Sequence, residues 1–166
     1  MTARFRIEAL SPEHDRAGFT CGSNALDRYL REQASQDMRR RTSVCYVAVD
    51  AQSGAIAGYY TLAAGSVPLT DLSEAMTKKL PRYPLVPVAR LGRLAVSTAF
   101  QGQQLGAALL WDAGLRAMRS GMGVFALVVD AKDETAAAFY KHHGFTAFSI
   151  NPLTFVLPIA TLAKKN

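Results

Sequence analysis

The chain predicts an α/β fold built on a mixed sheet with helices on both of its sides. Three features of the sequence carry that expectation. Residues 43–64 hold two apolar, β-rich runs separated by a turn signal, the pattern of a hairpin. Residues 88–145 then alternate strand-like and helix-like patterns, the pattern of strands joined through helices. The run at 124–130 is almost wholly apolar, as a strand covered on both faces requires.

Taken in order, Phe5–Ala9 reads as a first strand. Gly22-Ser23-Asn24 supplies a cap for a helix through Leu26, Tyr29 and Leu30, whose spacing makes one apolar stripe. The helical pattern continues, with a bend, through Gln36 to Arg41. Ser43–Val49 and Gly54–Ala64 are strands joined across Gln52-Ser53-Gly54. Pro68, Pro81, Pro84 and Pro87 bracket a short helix at Leu72–Leu80. Val88–Val96 is a central strand. Gln103–Arg119 is a helix, with Leu105, Leu109 and Ala113 on one face and Gly121 and Gly123 at its end. Val124–Asp130 is a strand, Asp133–His142 a helix closed by Gly144, and Leu153–Leu157 a last strand. Ala163-Lys164-Lys165-Asn166 reads as a frayed tail.

The 166 residues suit one domain, 1–166, with a sizeable core: 49% are apolar and 19% charged. No window approaches the roughly 18 uninterrupted apolar residues of a membrane span. The start, Met1-Thr2-Ala3-Arg4-Phe5-Arg6, lacks the apolar run of a secretory signal, so a cytoplasmic protein with no membrane partner is expected. Cys21 and Cys45 lack metal-ligand spacing, so reduced thiols and no metal site are expected. The net charge of +6 favours an anionic partner.

The chemistry concentrates in residues 91–145. Leu91-Gly92-Arg93-Leu94-Ala95-Val96 runs as a strand into Gln101-Gly102-Gln103-Gln104-Leu105-Gly106-Ala107 and a helix. Glycine-relieved amides at a helix N-terminus form a phosphate seat. The second unit ends in Ala136-Ala137-Ala138-Phe139-Tyr140-Lys141-His142-His143-Gly144-Phe145, which sets a phenol near the end of a short helix. A phosphate-bearing cofactor and a phenol suggest group transfer.

These two units resemble the acyl-CoA signature of the GCN5-related N-acetyltransferase (GNAT) family. Gln101 opens the family's phosphate motif and Gly106 closes it. Gln104 stands where the middle glycine belongs; glutamine resists positive φ and keeps its side chain beside the cofactor. The resemblance implies a central, mostly antiparallel mixed sheet and acetyl-CoA as cofactor. It implies that Leu94, Ala95 and Val96 lend backbone groups to pantetheine. The amides of Gln101, Gly102, Gln103, Gln104, Leu105, Gly106 and Ala107 would hold the pyrophosphate. Asp133, Ala136, Phe139 and Tyr140 match the second half of the signature, which adds Asp133 and Phe139 to the cofactor site. Asp133 replaces an asparagine; an ionised carboxylate accepts but does not donate, and it can equally cap the helix. Tyr140 is the catalytic candidate, because a phenol of ordinary pKa about 10 can protonate a departing thiolate at neutral pH. His142 and His143 diverge on the helix, so at least one faces solvent.

No carboxylate pair is placed to deprotonate a lysine amine, pKa about 10.4, whereas an α-amine near 8 is already partly neutral. A narrower resemblance agrees. Phe19–Leu30, Gln33-Ala34-Ser35-Gln36-Asp37, Gly58-Tyr59-Tyr60-Thr61-Leu62, Tyr83-Pro84, Leu91–Val96 and Val129-Asp130-Ala131 are similar, in order, to the acetyltransferase toxins of type II toxin–antitoxin pairs. That resemblance implies acetylation of the α-amine of aminoacyl-tRNA and so inhibition of translation. It also implies a ribbon–helix–helix antitoxin, a homodimer, and contact with DNA only through the antitoxin. Candidate RNA-binding cations are Arg39, Arg40 and Arg41, then Lys78 and Lys79 with Arg82, then Arg90 and Arg93. No exposed aromatic repeat points to base stacking. Two other functions share these features: an N-acetyltransferase for a small amine, polyamine or protein amine, and a non-catalytic corepressor working through a DNA-binding antitoxin.

Overall fold

The computed structural model describes residues 4–163. β1 (Phe5–Ala9) lies where the sequence placed it. Ser23, in extended backbone, accepts the Leu26 N–H at 3.4 Å and so starts α1 (Asn24–Arg28). The expected bend is a π-helical turn, Tyr29–Gln33, in which the Ala34 N–H reaches back five residues to the Tyr29 carbonyl. α2 (Ala34–Arg39) follows and stops where Arg41 turns to a φ of 60°.

β2 (Val44–Asp50) and β3 (Ile56–Pro68) form the predicted hairpin, in register from Val44↔Leu62 to Val49↔Ile56 with a bulge at Ala48/Val49. The Asp50 carboxylate accepts the Ser53 hydroxyl at 2.7 Å and its N–H at 3.2 Å, which closes the turn. The helix expected over 72–80 is shorter: Ser73 caps α3 (Glu74–Thr77) after a 3₁₀ turn at Leu69–Asp71. β4 (Leu85–Val96) starts three residues earlier than the pattern indicated. α4 (Leu105–Met118), β5 (Ala126–Asp130) and α5 (Glu134–His142) match their expected places within a few residues. β6 (Thr146–Ala147) and α6 (Ile159–Ala163), on either side of β7 (Thr154–Pro158), went unanticipated. Two residues give no period to read, and Pro158 opens a helix too short to show a stripe. Ala163 is therefore helical, not frayed, and Lys164–Asn166 fall outside the described residues.

The strands make one seven-stranded mixed sheet in the order β1-β2-β3-β4-β5-β7-β6. The pairs β1–β2, β2–β3, β5–β7 and β6–β7 are antiparallel; β4–β5 is parallel from Val88↔Ala126 to Leu91↔Val129. The chain comprises two compact units, Met1–Ala63 with Gly92–Ala113, and Ala64–Leu91 with Gly114–Asn166. The first is built on Leu30, Val47, Val49, Ile56, Tyr59 and Ala95, packed with Phe19 and Tyr29. The second is built on Val86, Val88, Ala126, Val128, Phe148 and Val156. Both cysteines are free thiols, and burial pushes the Cys45 thiol up to about 12.

Gly58 marks a tight point of the first unit. A Cβ there would stand 2.9 Å from the Ala95 carbonyl oxygen and 3.0 Å from Leu109 Cδ1. Backbone cannot retreat as a flexible side chain can. Gly58→Ala is therefore expected to destabilise the fold by about 1–3 kcal/mol, read as a lowered urea midpoint at unchanged slope.

Candidate acyl-transfer site

In the first unit, β4 ends at Leu94-Ala95-Val96, with Ala95 buried and its neighbours half-buried. The Ser97 N–H donates to the Ala57 carbonyl at 2.8 Å, which fastens the strand's end to β3. Ser97 Oγ accepts the Ala99 N–H at 3.4 Å and starts a 3₁₀ turn, Thr98–Phe100. Gln101 folds back so that its Nε2 donates to the Val96 carbonyl at 3.2 Å. Val96 O thus already has a donor, and any group seated against this strand would share it or displace Gln101.

The loop then makes two left-handed turns, Gly102 at φ 79° and Gln104 at φ 63°. The expectation that glutamine resists positive φ is overturned at this position. A left-handed residue costs an L side chain about 1–2 kcal/mol. The exposed Gln104 side chain accepts that strain because the chain must turn into the helix directly after the 3₁₀ turn Thr98–Phe100, within residues 101–104. The Ala108 N–H is the first to bond within the helix, to the Gln104 carbonyl at 3.2 Å. The amides of Leu105, Gly106 and Ala107 lie ahead of the helical ladder, at the positive end of a 14-residue helix. Gln101, Gly102, Gln103 and Gln104 are exposed, Gly106 and Ala107 half-buried, and Leu105 turns into the core. This arrangement can bind a phosphate.

In the second unit, Asp133 accepts the Ala136 N–H at 2.8 Å as N-cap of α5. The capping alternative for this residue holds. Tyr140 lies two residues before the last residue of that helix, which closes where the His143 and Phe145 N–H groups donate to the Tyr140 carbonyl at 3.1 Å each. Its ring is buried against Phe139, Phe145 and Phe155, with centroids 5.3, 5.5 and 6.2 Å away. Among the described residues its hydroxyl has no hydrogen-bond partner. Burial raises the phenol to about 12, so it is a proton donor throughout the neutral range. Phe139 is half-buried and carries the His143 ring edge-on at 4.7 Å; His142 is exposed.

The cations divide. Arg39, Arg40 and Arg41 are exposed at the end of α2. Lys78 and Lys79 are exposed after α3, and Lys78 and Arg82 line a shallow pocket with Glu74 and Thr77. Arg90 NH1 stands 3.6 Å from Asp130, and its stem rests on Gly65. Arg93 lies over the Tyr29 ring at 3.5 Å. Sequence reading missed the links from Tyr29 to Asp37 and Arg93, because side chains on a regular helix touch at i,i+3 and i,i+4, and Arg93 is remote in sequence from both. Tyr83, which the narrower resemblance includes without a role, is 69% exposed beside Arg82.

The buried phenol gives a pH prediction. In the unfolded chain Tyr140 ionises near its ordinary pKa of about 10, while the folded chain holds the proton to about 12. Between those values the unfolded state binds fewer protons, so stability falls as pH rises. Tyr140→Phe should flatten the decline measured by urea unfolding from pH 9 to pH 11, leaving the share due to Cys45, Tyr29 and Tyr59, which burial also raises.

The acetyltransferase (GNAT) domain pattern matches residues 41–147 of this chain. A tRNA-acetylating toxin of Mycobacterium tuberculosis is 35% identical over 150 residues, 89% of this chain and 88% of the relative. The solved structure of AtaT complexed with acetyl-methionyl-tRNAfMet is 28% identical, with a TM-score of 0.88 over 97% of this chain and 98% of that one. A tyrosine-to-phenylalanine mutant of the AtaT toxin, bound to the C-terminus of the antitoxin AtaR and acetyl-CoA, is 25% identical with a TM-score of 0.81 over 97% of each chain. With the family pattern covering more than half of the sequence, this chain belongs to the GNAT acetyltransferase family.

Proposed function

We propose that this protein is a toxin of a type II toxin–antitoxin pair. It transfers acetyl from acetyl-CoA to the α-amine of aminoacyl-tRNA and so stops translation. The observation that carries the reading is the likeness, along almost the whole chain, to a toxin solved with its acetylated tRNA. The left-handed turn at Gly102 and Gln104 supports the cofactor half, because it frees the Leu105, Gly106 and Ala107 amides for a pyrophosphate. Leu94 and Val96 would hold pantetheine through backbone groups. Asp133 acts as helix cap, and Phe139 bounds the site.

Transfer is direct. The free amine attacks the acetyl carbon, a backbone amide of β4 polarises the carbonyl, the C–S bond breaks as the Tyr140 hydroxyl donates its proton to the departing thiolate, and the proton shed by the new amide nitrogen returns the phenolate to its neutral form. A phenol held neutral by burial suits that role. The AtaT mutant solved with acetyl-CoA carries a phenylalanine in place of a tyrosine, which supports a phenol in the chemistry of such toxins.

The whole chain, 1–166, acts as one domain in the cytoplasm and pairs as a homodimer. A ribbon–helix–helix antitoxin silences it, and DNA is reached only through that antitoxin. Arg39, Arg40, Arg41, Lys78 and Lys79 supply exposed positive charge for the tRNA backbone.

Radiolabelled acetyl-CoA incubated with charged and uncharged tRNA tests the reading. Label is expected on charged tRNA alone; label confined to small amines, polyamines or protein overturns the acceptor. Tyr140→Phe should lower kcat by about a hundredfold or more and abolish toxicity, while calorimetry finds acetyl-CoA still bound. Undiminished turnover removes Tyr140 from the chemistry.

A further inference from the structure

Arg93 is held in an unusual way. Its guanidinium carbon is 3.5 Å from the centre of the Tyr29 ring, yet among the described residues it donates no hydrogen bond and makes no ion pair. Tyr29 is itself fixed: its hydroxyl donates to Asp37 Oδ2 at 2.6 Å. Gln33 Nε2 donates to Asp37 Oδ1 at 3.0 Å, so each carboxylate oxygen accepts one bond from the helix region. These two bonds, with the charges of Arg93 and Arg40, hold the Asp37 carboxyl below its usual range. Asp37 is therefore a permanent negative charge that attracts Arg93 without occupying its donors.

The π turn makes this possible. Tyr29 and Asp37 are eight positions apart, which in an unbroken α-helix rotates the side chains about 80° apart. One inserted residue makes eight positions turn through roughly what seven do, about 700°, and brings the two onto one face. Arg93 shares a strand face with Ala95, which packs in the same core as Tyr29. A cation that rests on a ring and beside a carboxylate, with its five N–H donors unspent, is set up to take a phosphate, and its rotamer entropy is already lost before the ligand arrives.

We propose that Tyr29 and Asp37 are positioning residues that hold Arg93 ready for a phosphate group of the acceptor RNA. This rests on the aminoacyl-tRNA reading. Arg93 binds the phosphate; Tyr29 and Asp37 act through it.

The test combines tRNA binding across a salt series with steady-state kinetics on the full chain. Arg93→Ala should reduce the slope of log K against log salt by about one. Arg93→Lys should keep the slope yet raise KM for aminoacyl-tRNA, because an ammonium neither stacks nor forks. Tyr29→Leu and Asp37→Asn should raise that KM by roughly tenfold, with kcat and the KM for acetyl-CoA within about twofold of wild type. If Tyr29→Leu does not fold, Asp37→Asn and Tyr29→Phe, which keep the shape of the site, carry the same test. An unchanged salt slope in Arg93→Ala, or a wild-type KM in folded Asp37→Asn, overturns the proposal while wild-type acetylation of tRNA leaves the function standing. Wild-type protein that binds no aminoacyl-tRNA at any salt removes both.

Discussion

The end of β4 governs the first unit. There the Ala95 carbonyl approaches Gly58 so closely that no side chain fits between them. Ser97 then ties the chain to Ala57, and the backbone has only the stretch to Leu105 in which to become a helix. Two left-handed residues make the turn, and they leave the leading amides of α4 without helical partners. The proposed cofactor seat is thus a by-product of how a strand must end in order to start a helix beside it. Main-chain donors need little from the side chains in this loop, and Gln104 takes up the left-handed φ that a glycine there would adopt at lower cost.

The second unit solves a different problem. A phenol proposed to donate a proton must stay neutral and must not spend its hydroxyl on the protein. Packing Tyr140 among three aromatic rings does the first through desolvation, and the lack of a partner among the described residues does the second. The helix that carries it is short and depends on its ends, with Asp133 capping one and the Tyr140 carbonyl closing the other. Asp133 has lost the donor an asparagine would have brought, but an ionised carboxylate is a good cap at the positive end of a helix.

The cations are not equivalent. Arg39, Arg40 and Arg41 stand in solvent, where each offers charge that salt will screen. Arg90 is tied to Asp130. Arg93 rests on Tyr29 with its donors unspent, which sets it apart from the cations exposed to solvent. A net charge of +6 speaks for an anionic partner in general; the way each guanidinium is held decides which of them can read a position on that partner.

Much of this was legible in the residues. β1, the β2–β3 hairpin, α4, β5 and the capped α5 follow from period, turn chemistry and caps, which act over a few neighbouring positions. The strand–loop–helix motif and Phe139-Tyr140 were legible for the same reason. What the tertiary structure alone decided are long-range terms: the left-handed φ of Gln104, the π turn that brings Tyr29 to Asp37, the placement of Arg93 over an aromatic ring, and the short β6 and α6. Arg93 and Tyr29 meet across a long stretch of chain, and Gln104 takes a φ that costs its own residue about 1–2 kcal/mol; no window of neighbouring residues contains those terms.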